Sequence, residues 1–226
     1  MFDLFLPEGE PRGLFVFVHG GYWVALDKSW WSHLAAGPVA RGWAVAMPSY
    51  DLCPDVSIEE ITAQVGTAIT AAAAEVGGPI VLSGHSAGGH LVTSMMCVDS
   101  PLPAGVRQRL RHVLSISGLH DLRPLLRTAR NEQLRMTPES AAANSPALKE
   151  PLAGVALTTW VGGGERHEFL RQSALLSNIW HGLGCLTEDV VEPDRHHFNV
   201  IDGLMDTHGA MLSTVLDAVE AKSTGK

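Results

Sequence analysis

Cysteine is scarce in this chain and poorly placed for cross-linking. Cys53, Cys97 and Cys185 are odd in number, far apart and contain no C-x-x-C pair, which excludes a disulfide framework and a zinc knuckle. They are expected to be reduced, buried small hydrophobes of a cytoplasmic protein. Long apolar runs are also missing, since none approaches the roughly 20 residues needed to cross a bilayer. Met1-Phe2-Asp3-Leu4-Phe5-Leu6-Pro7-Glu8 lacks the basic region and apolar stretch of a signal peptide. A soluble protein with no membrane partner is therefore expected. Basic charge is in deficit, with 16 Lys and Arg against 24 Asp and Glu and a formal charge of −8. No basic run offsets it, so nucleic acid is not an expected partner. Internal repeats and low-complexity tracts are absent apart from the short Ala71–Ala74 run.

What is present suits a single α/β domain spanning residues 1–226. Hydrophobic residues make up 46% of the chain, enough for a sizeable core. Leu14-Phe15-Val16-Phe17-Val18 is a continuous apolar run, as expected of a strand covered on both faces. Trp43 to Met47, Ile80 to Ser83, His112 to Ser117 and Val155 to Val161 read as further strands, and Val190-Val191 as part of a short last one. Ile58 to Glu75, Ala87 to Cys97 and Phe198 to Ala221 read as helices. Strand and helix in alternation predict a mostly parallel sheet with helices on both faces. The polar segment Leu122 to Pro151, with Arg123, Arg127, Arg130, Arg135 and four prolines, breaks the rhythm. It reads either as an inserted lid or as irregular surface helices.

Gly84-His85-Ser86-Ala87-Gly88 matches G-x-S-x-G between a buried strand and a helix. That context presents a nucleophilic hydroxyl on a sharp turn, where the residues two before and two after the serine need minimal side chains. The helix dipole behind Ser86 favours developing negative charge. A tetrahedral intermediate also needs backbone N–H donors. Ala87 is expected to supply one; Gly21 and Tyr22, in His19-Gly20-Gly21-Tyr22-Trp23 after an early strand, are expected to supply the others. His19 reads as a brace for this loop.

In this fold type the acid and then the histidine follow the serine in the chain. Glu165 is the first carboxylate after the Val155–Val161 strand, and Asp121 competes with it; Glu168 reads as an outer group. The base lies in His196-His197, and spacing alone leaves either histidine open. Eleven histidines raise the question of a metal. Yet His167-Glu168 and His196-His197 are adjacent pairs, no H-E-x-x-H is present, and Asp202, Asp206 and His208 fall in the expected closing helix, so no metal site is expected. The chemistry requires no cofactor.

His19-Gly20-Gly21-Tyr22-Trp23, Gly84 to Leu91, Ser117-Gly118-Leu119-His120-Asp121-Leu122 with Pro124-Leu125, Ser145-Pro146, Glu168-Phe169-Leu170-Arg171-Gln172-Ser173 and His197-Phe198 occur in that order. Together they resemble the kynurenine formamidase (arylformamidase) family of α/β hydrolases, near the hormone-sensitive-lipase-like esterases. The resemblance implies the α/β-hydrolase fold and hydrolysis of N-formyl-L-kynurenine to L-kynurenine and formate, a step of tryptophan breakdown. By position it implies Ser86 as nucleophile, His197, the histidine before phenylalanine, as base, and Glu165 as acid. Animal and fungal members usually carry aspartate at that acid position, and the family tends to His-Phe-Asp where this chain has Asn199. Only eighteen residues precede His19, where members usually carry several dozen, which suggests either a more open site or a lost start. An open site would also suit a broad-range short-chain carboxylesterase, and a non-catalytic relative acting as a scaffold is the reading furthest from catalysis. A formyl group needs almost no acyl pocket, whereas an aryl leaving group wants a flat apolar wall. Tyr22 and Trp23 are the expected wall, and Trp30 and Trp31 serve either there or in packing. A small-molecule substrate is the expected partner, and a homodimer is left open.

Overall fold

The computed structural model describes residues 1–224. Seven strands form one sheet: β1 (Phe2–Phe5), β2 (Leu14–Val18), β3 (Ala44–Pro48), β4 (Ile80–His85), β5 (Leu110–Ile116), β6 (Ala156–Gly162) and β7 (Leu186–Glu192), in the order β1-β3-β2-β4-β5-β6-β7. All neighbours pair in parallel except β1, which runs antiparallel to β3 at one edge. β1 was not expected, and the last strand is seven residues long where only Val190-Val191 signalled it. β2 contains no polar residue because both of its faces are covered. Leu14, Val16 and Val18 join one apolar cluster, while Phe15 and Phe17 join the other.

The helices are α1 (Ala36–Ala40), α2 (Ile58–Glu75), α3 (Ala87–Met95), α4 (Ala104–Arg107), α5 (Asn131–Leu134), α6 (Pro138–Ala143), α7 (His167–Trp180) and α8 (Ala210–Thr224). Buried residues of α2, α3 and α7 lie in the first cluster, and Met211, Leu212, Val215 and Leu216 of α8 in the second. α2 starts where expected because Ser57 caps it. Its hydroxyl accepts from Glu60 N–H while the Glu60 carboxylate accepts from Ser57 N–H.

One expectation needs correction. The closing helix is not continuous from Phe198: a 3-10 turn covers Val200–Leu204, the chain breaks, and α8 begins at Ala210. Asp206 sits in the break, its carboxylate accepting from His208 N–H, so neither residue is helical. Segment 122–151 is a series of short helical turns, with 3-10 turns at Arg123–Arg127 and Pro146–Leu148 flanking α5 and α6. It is anchored rather than free-standing: Leu125, Leu134, Met136, Ala141 and Ala147 are buried in the first cluster.

This strand order reverses direction between β2 and β4. Such a reversal opens a crevice at the carboxyl ends of a parallel sheet, where ligands bind. The expected site residues follow β2, β4, β6 and β7 at that same edge.

Candidate active site

Ser86 sits between β4 and α3 with φ 56° and ψ −116°, a backbone conformation costing about 1–3 kcal/mol for a residue with a side chain. The surroundings enforce it. Ser86 N–H donates to the Ile116 carbonyl at 2.8 Å, and His90 N–H to the Ser86 carbonyl at 3.2 Å. Gly84 and Gly88 touch each other across the turn, and a Cβ on Gly88 would collide with the Val18 carbonyl. The residue after β2 approaches just as closely, since a Cβ on Gly20 would stand 3.0 Å from the Ser86 Cβ. The turn thus forces the serine to the head of α3, beside the loop that follows β2.

That loop runs through three successive left-handed residues, Gly21 (φ 116°), Tyr22 (φ 53°) and Trp23 (φ 59°). Val24 and Ala25 N–H both bond the Gly21 carbonyl, at 3.0 and 3.1 Å. Among the described residues, the N–H groups of Gly21, Tyr22 and Ala87 donate to no protein acceptor. His19 stacks on Tyr50 at 4.3 Å between centroids, and its Nδ1 lies 2.7 Å from the Gly20 carbonyl. Burial lowers its pKa, so it braces the loop as a neutral ring.

The side chains of the loop split. Trp23 is fully buried and meets His90 edge-on at 5.2 Å. It belongs to the core, which corrects its expected place in a substrate wall: the positive φ turns the indole inward. Tyr22 stays partly exposed, with the Arg130 guanidinium 4.9 Å above its ring. Segment 122–151 therefore reaches the loop that follows β2. Trp31 lies 6.3 Å from His85 and 6.4 Å from Phe17, while Trp30 is 65% exposed.

His197 Nδ1 is 2.7 Å from Glu165 Oε2. A carboxylate only accepts, so Nδ1 carries the proton and Nε2 presents its lone pair. The Glu165 side chain is entirely buried. Its other oxygen accepts from Ser117 Oγ at 2.5 Å and Gly162 N–H at 2.9 Å. Burial pushes this carboxyl upward, but the hydrogen bonds from His197, Ser117 and Gly162 outweigh it and hold the pKa below the ordinary value. The imidazole packs on Phe169 at 4.2 Å and meets Phe198 edge-on at 5.4 Å. Among the described residues the Ser86 hydroxyl makes no hydrogen bond to it; such links often tighten only when substrate binds.

The remaining candidates lie apart from this pair. Asp121 is bound by its own neighbour Arg123 at 2.9 Å. Glu168 pairs with Arg171 and accepts from Gln172, and does not touch Glu165. His196 is exposed, its N–H donating to Asn199 Oδ1 at 2.7 Å. Three residues escaped the sequence reading. Ser117 donates to the Glu165 carboxylate with no spacing signal to announce it, since 48 residues separate the two. His85, the variable residue of the serine motif, is 2.8 Å through Nε2 from the His197 carbonyl; burial first, then the charge of His197, pushes its pKa down to about 3. It is a neutral donor that tethers the histidine loop to the serine turn. Gln172 accepts from His120 and Asp121 N–H and donates to the Asp121 carbonyl, pinning the loop after β5 to α7. No metal-binding group of three His, Cys, Asp or Glu occurs among the described residues, and no helix among them is long and apolar enough to cross a membrane.

The model of the alpha/beta hydrolase family matches residues 15–219. The chain belongs to that family. Within it, this hydrolase is kynurenine formamidase-like. It is 31% identical to the kynurenine formamidase of Danio rerio over 96% of this chain and 77% of the relative, and 32% identical to that of Salmo salar over 85% and 68%. A crystal structure from Silicibacter sp. TM1040, described as a candidate thioesterase, is 53% identical and superposes with a TM-score of 0.91 over 95% of the hydrolase and 80% of that chain. Esterase 2 of Thermogutta terrifontis shares the fold, with a TM-score of 0.75 over 98% of the hydrolase and 88% of the esterase at 22% identity.

Proposed function

We propose that this hydrolase is a serine acylhydrolase with the arylformamidase reaction as its activity: N-formyl-L-kynurenine and water give L-kynurenine and formate. The observation that carries the reading is the Glu165–His197 hydrogen bond at 2.7 Å, made beside a serine held in a strained turn. Similarity to proteins named kynurenine formamidase supports the choice of substrate.

Ser86 Oγ attacks the formamide carbonyl while His197 Nε2 takes its proton, and Glu165 stabilises the imidazolium. The N–H groups of Gly21, Tyr22 and Ala87 receive the oxyanion. His197 then protonates the leaving amine. Water, deprotonated by the same imidazole, releases formate from Ser86. No cofactor enters these steps.

A second reading, hydrolysis of short acyl esters or thioesters, is favoured by the thioesterase designation of the 53% identical structure. Turnover of N-formylkynurenine, a p-nitrophenyl acyl ester and an acyl thioester by wild type and Ser86→Ala separates the two. Arylformamidase predicts the highest kcat/KM for the formamide and loss of at least about 1000-fold in the alanine variant. A Ser86→Ala protein with full activity refutes the serine mechanism, and preference for the thioester refutes the substrate assignment.

A further inference from the structure

We infer that Ser117 is a positioning residue of the catalytic relay, which clamps and electronically tunes Glu165 so that only one carboxylate oxygen serves His197. The inference rests on the proposed Ser86–His197–Glu165 mechanism and goes beyond it, since nothing in that mechanism requires a fourth side chain.

The geometry carries it. Ser117 directly follows β5 in a left-handed conformation, φ 50°, and is fully buried. Its N–H donates to the Trp160 carbonyl on β6 at 2.7 Å. That bond fixes the serine against the strand whose end leads to Glu165. The hydroxyl meets Glu165 Oε1 at 2.5 Å. Because an ionised carboxylate has no proton to give, the hydroxyl is the donor, and a length of 2.5 Å is that of a charge-assisted bond. Gly162 N–H shares the same oxygen. Two donors on Oε1 leave Oε2 alone to accept from His197. A glutamate has one more rotatable bond than an aspartate, so its carboxylate needs more tethers to hold one orientation. Ser117 and Gly162 supply them.

The electronic consequence has a definite sign. Each donor on Oε1 withdraws charge from the carboxylate and weakens its pull on the imidazolium. Removing the Ser117 hydroxyl concentrates charge on Glu165 and makes His197 more basic. The titratable groups facing His197 are Glu165, from the loop after β6, and His85, at the end of β4 with ring centroids 4.6 Å apart. Phe169 of α7 and Phe198 also pack against the ring. His85, whose pKa lies near 3, stays neutral above that pH, so a moved acid limb at higher pH does not come from His85.

The test is the pH profile of kcat/KM, with the saturated kcat and KM, for Ser117→Ala and Ser117→Gly on the substrate best turned over by wild type. Glycine is at ease at φ 50°, so the second variant keeps the test decisive if alanine does not fold there. The expected result is a kcat loss on the order of 100-fold with KM within about twofold. The acid limb moves to higher pH by roughly half a unit or more. The downfield proton resonance of His197 Nδ1–H shifts in both variants. An acid limb and resonance unmoved from wild type, whatever happens to kcat, overturn the inference and leave Ser117 as packing alone. A rise in KM at unchanged kcat also overturns it. His197→Ala, run in parallel, distinguishes the two levels: full activity there removes the relay itself, whereas an inactive His197→Ala beside an unmoved Ser117 profile removes only the present inference.

Discussion

Buried histidines should make this protein acid-labile well above the pH at which its carboxylates titrate. His85, His90, His112 and His120 are at most 6% exposed. Burial pushes His85 and His120 down to about 3, and His90 and His112 down to about 4, from the ordinary 6.5. Below pH about 6.5 the unfolded chain takes up protons that the folded chain refuses, so stability falls as pH falls towards the folded-state values. At pH 5.5 each such histidine has cost about 1 kcal/mol relative to pH 7.5, and these four together roughly 4–6 kcal/mol. The carboxyls held low in the fold, Asp121, Glu165 and Glu168, lose their contribution only below about pH 4.5, outside this window. Domains are stable by about 5–15 kcal/mol, so a large share of the total is at stake. Urea unfolding followed by tryptophan fluorescence measures it. At an m-value near the upper end for small proteins, about 2.5 kcal/mol/M, the midpoint should drop by about 2 M between pH 7.5 and 5.5. His112→Gln, which exchanges a ring 2.8 Å from Thr158 Oγ1 for a group that does not titrate, should shrink that drop by about a quarter. A midpoint that moves by less than about 0.5 M over the window would refute the reasoning.

Two further outcomes follow from the packing around the serine turn and the loop after β5. Gly88→Ala would drive a methyl into the Val18 carbonyl and across the turn; a loss of several kcal/mol is expected, read as a thermal midpoint lower by roughly 5–10 °C, with activity lost in whatever remains folded. Gln172→Ala would leave the buried His120 and Asp121 N–H groups without their acceptor; about 1–3 kcal/mol of stability should go, with kcat falling more than KM rises because Ser117 lies on the released loop.

The sequence showed the strands and helices that carry strong local signals. A five-residue apolar run gave β2, and G-x-S-x-G between a strand and a helix gave the serine turn, because each needs its residues side by side. Local signals alone leave Asp121 competing with Glu165 and either late histidine open, and it is the resemblance that points to His197. β1 was missed because four residues at a sheet edge leave little periodicity to read. The break before α8 was missed although Asp206 and Gly209 stand in it; apolar spacing on both sides suggested one helix, and the turn made by the Asp206 carboxylate with His208 N–H interrupts it. Trp23 was misplaced for a related reason. Its neighbours marked the loop, but the left-handed backbone that turns the indole into the core is a tertiary property.

The part of the site that stayed hidden is the part that holds the chemistry still. The run Glu168-Phe169-Leu170-Arg171-Gln172-Ser173 contains no position assigned to bond breaking, yet it was among the most specific marks of the resemblance. On α7 its members divide the work of alignment. Phe169 lies against the His197 ring at 4.2 Å. Gln172, three residues on and therefore on the same face of the helix, grips the backbone of His120 and Asp121. That loop begins with Ser117, whose hydroxyl fixes Glu165. One helix face thus supports His197 through packing and Glu165 through a hydrogen-bonded loop, so both ends of the 2.7 Å Glu165–His197 bond are referred to a single element. Each of these contacts joins residues distant in sequence, and the physical demand they meet is alignment, which leaves no spacing rule within any one segment.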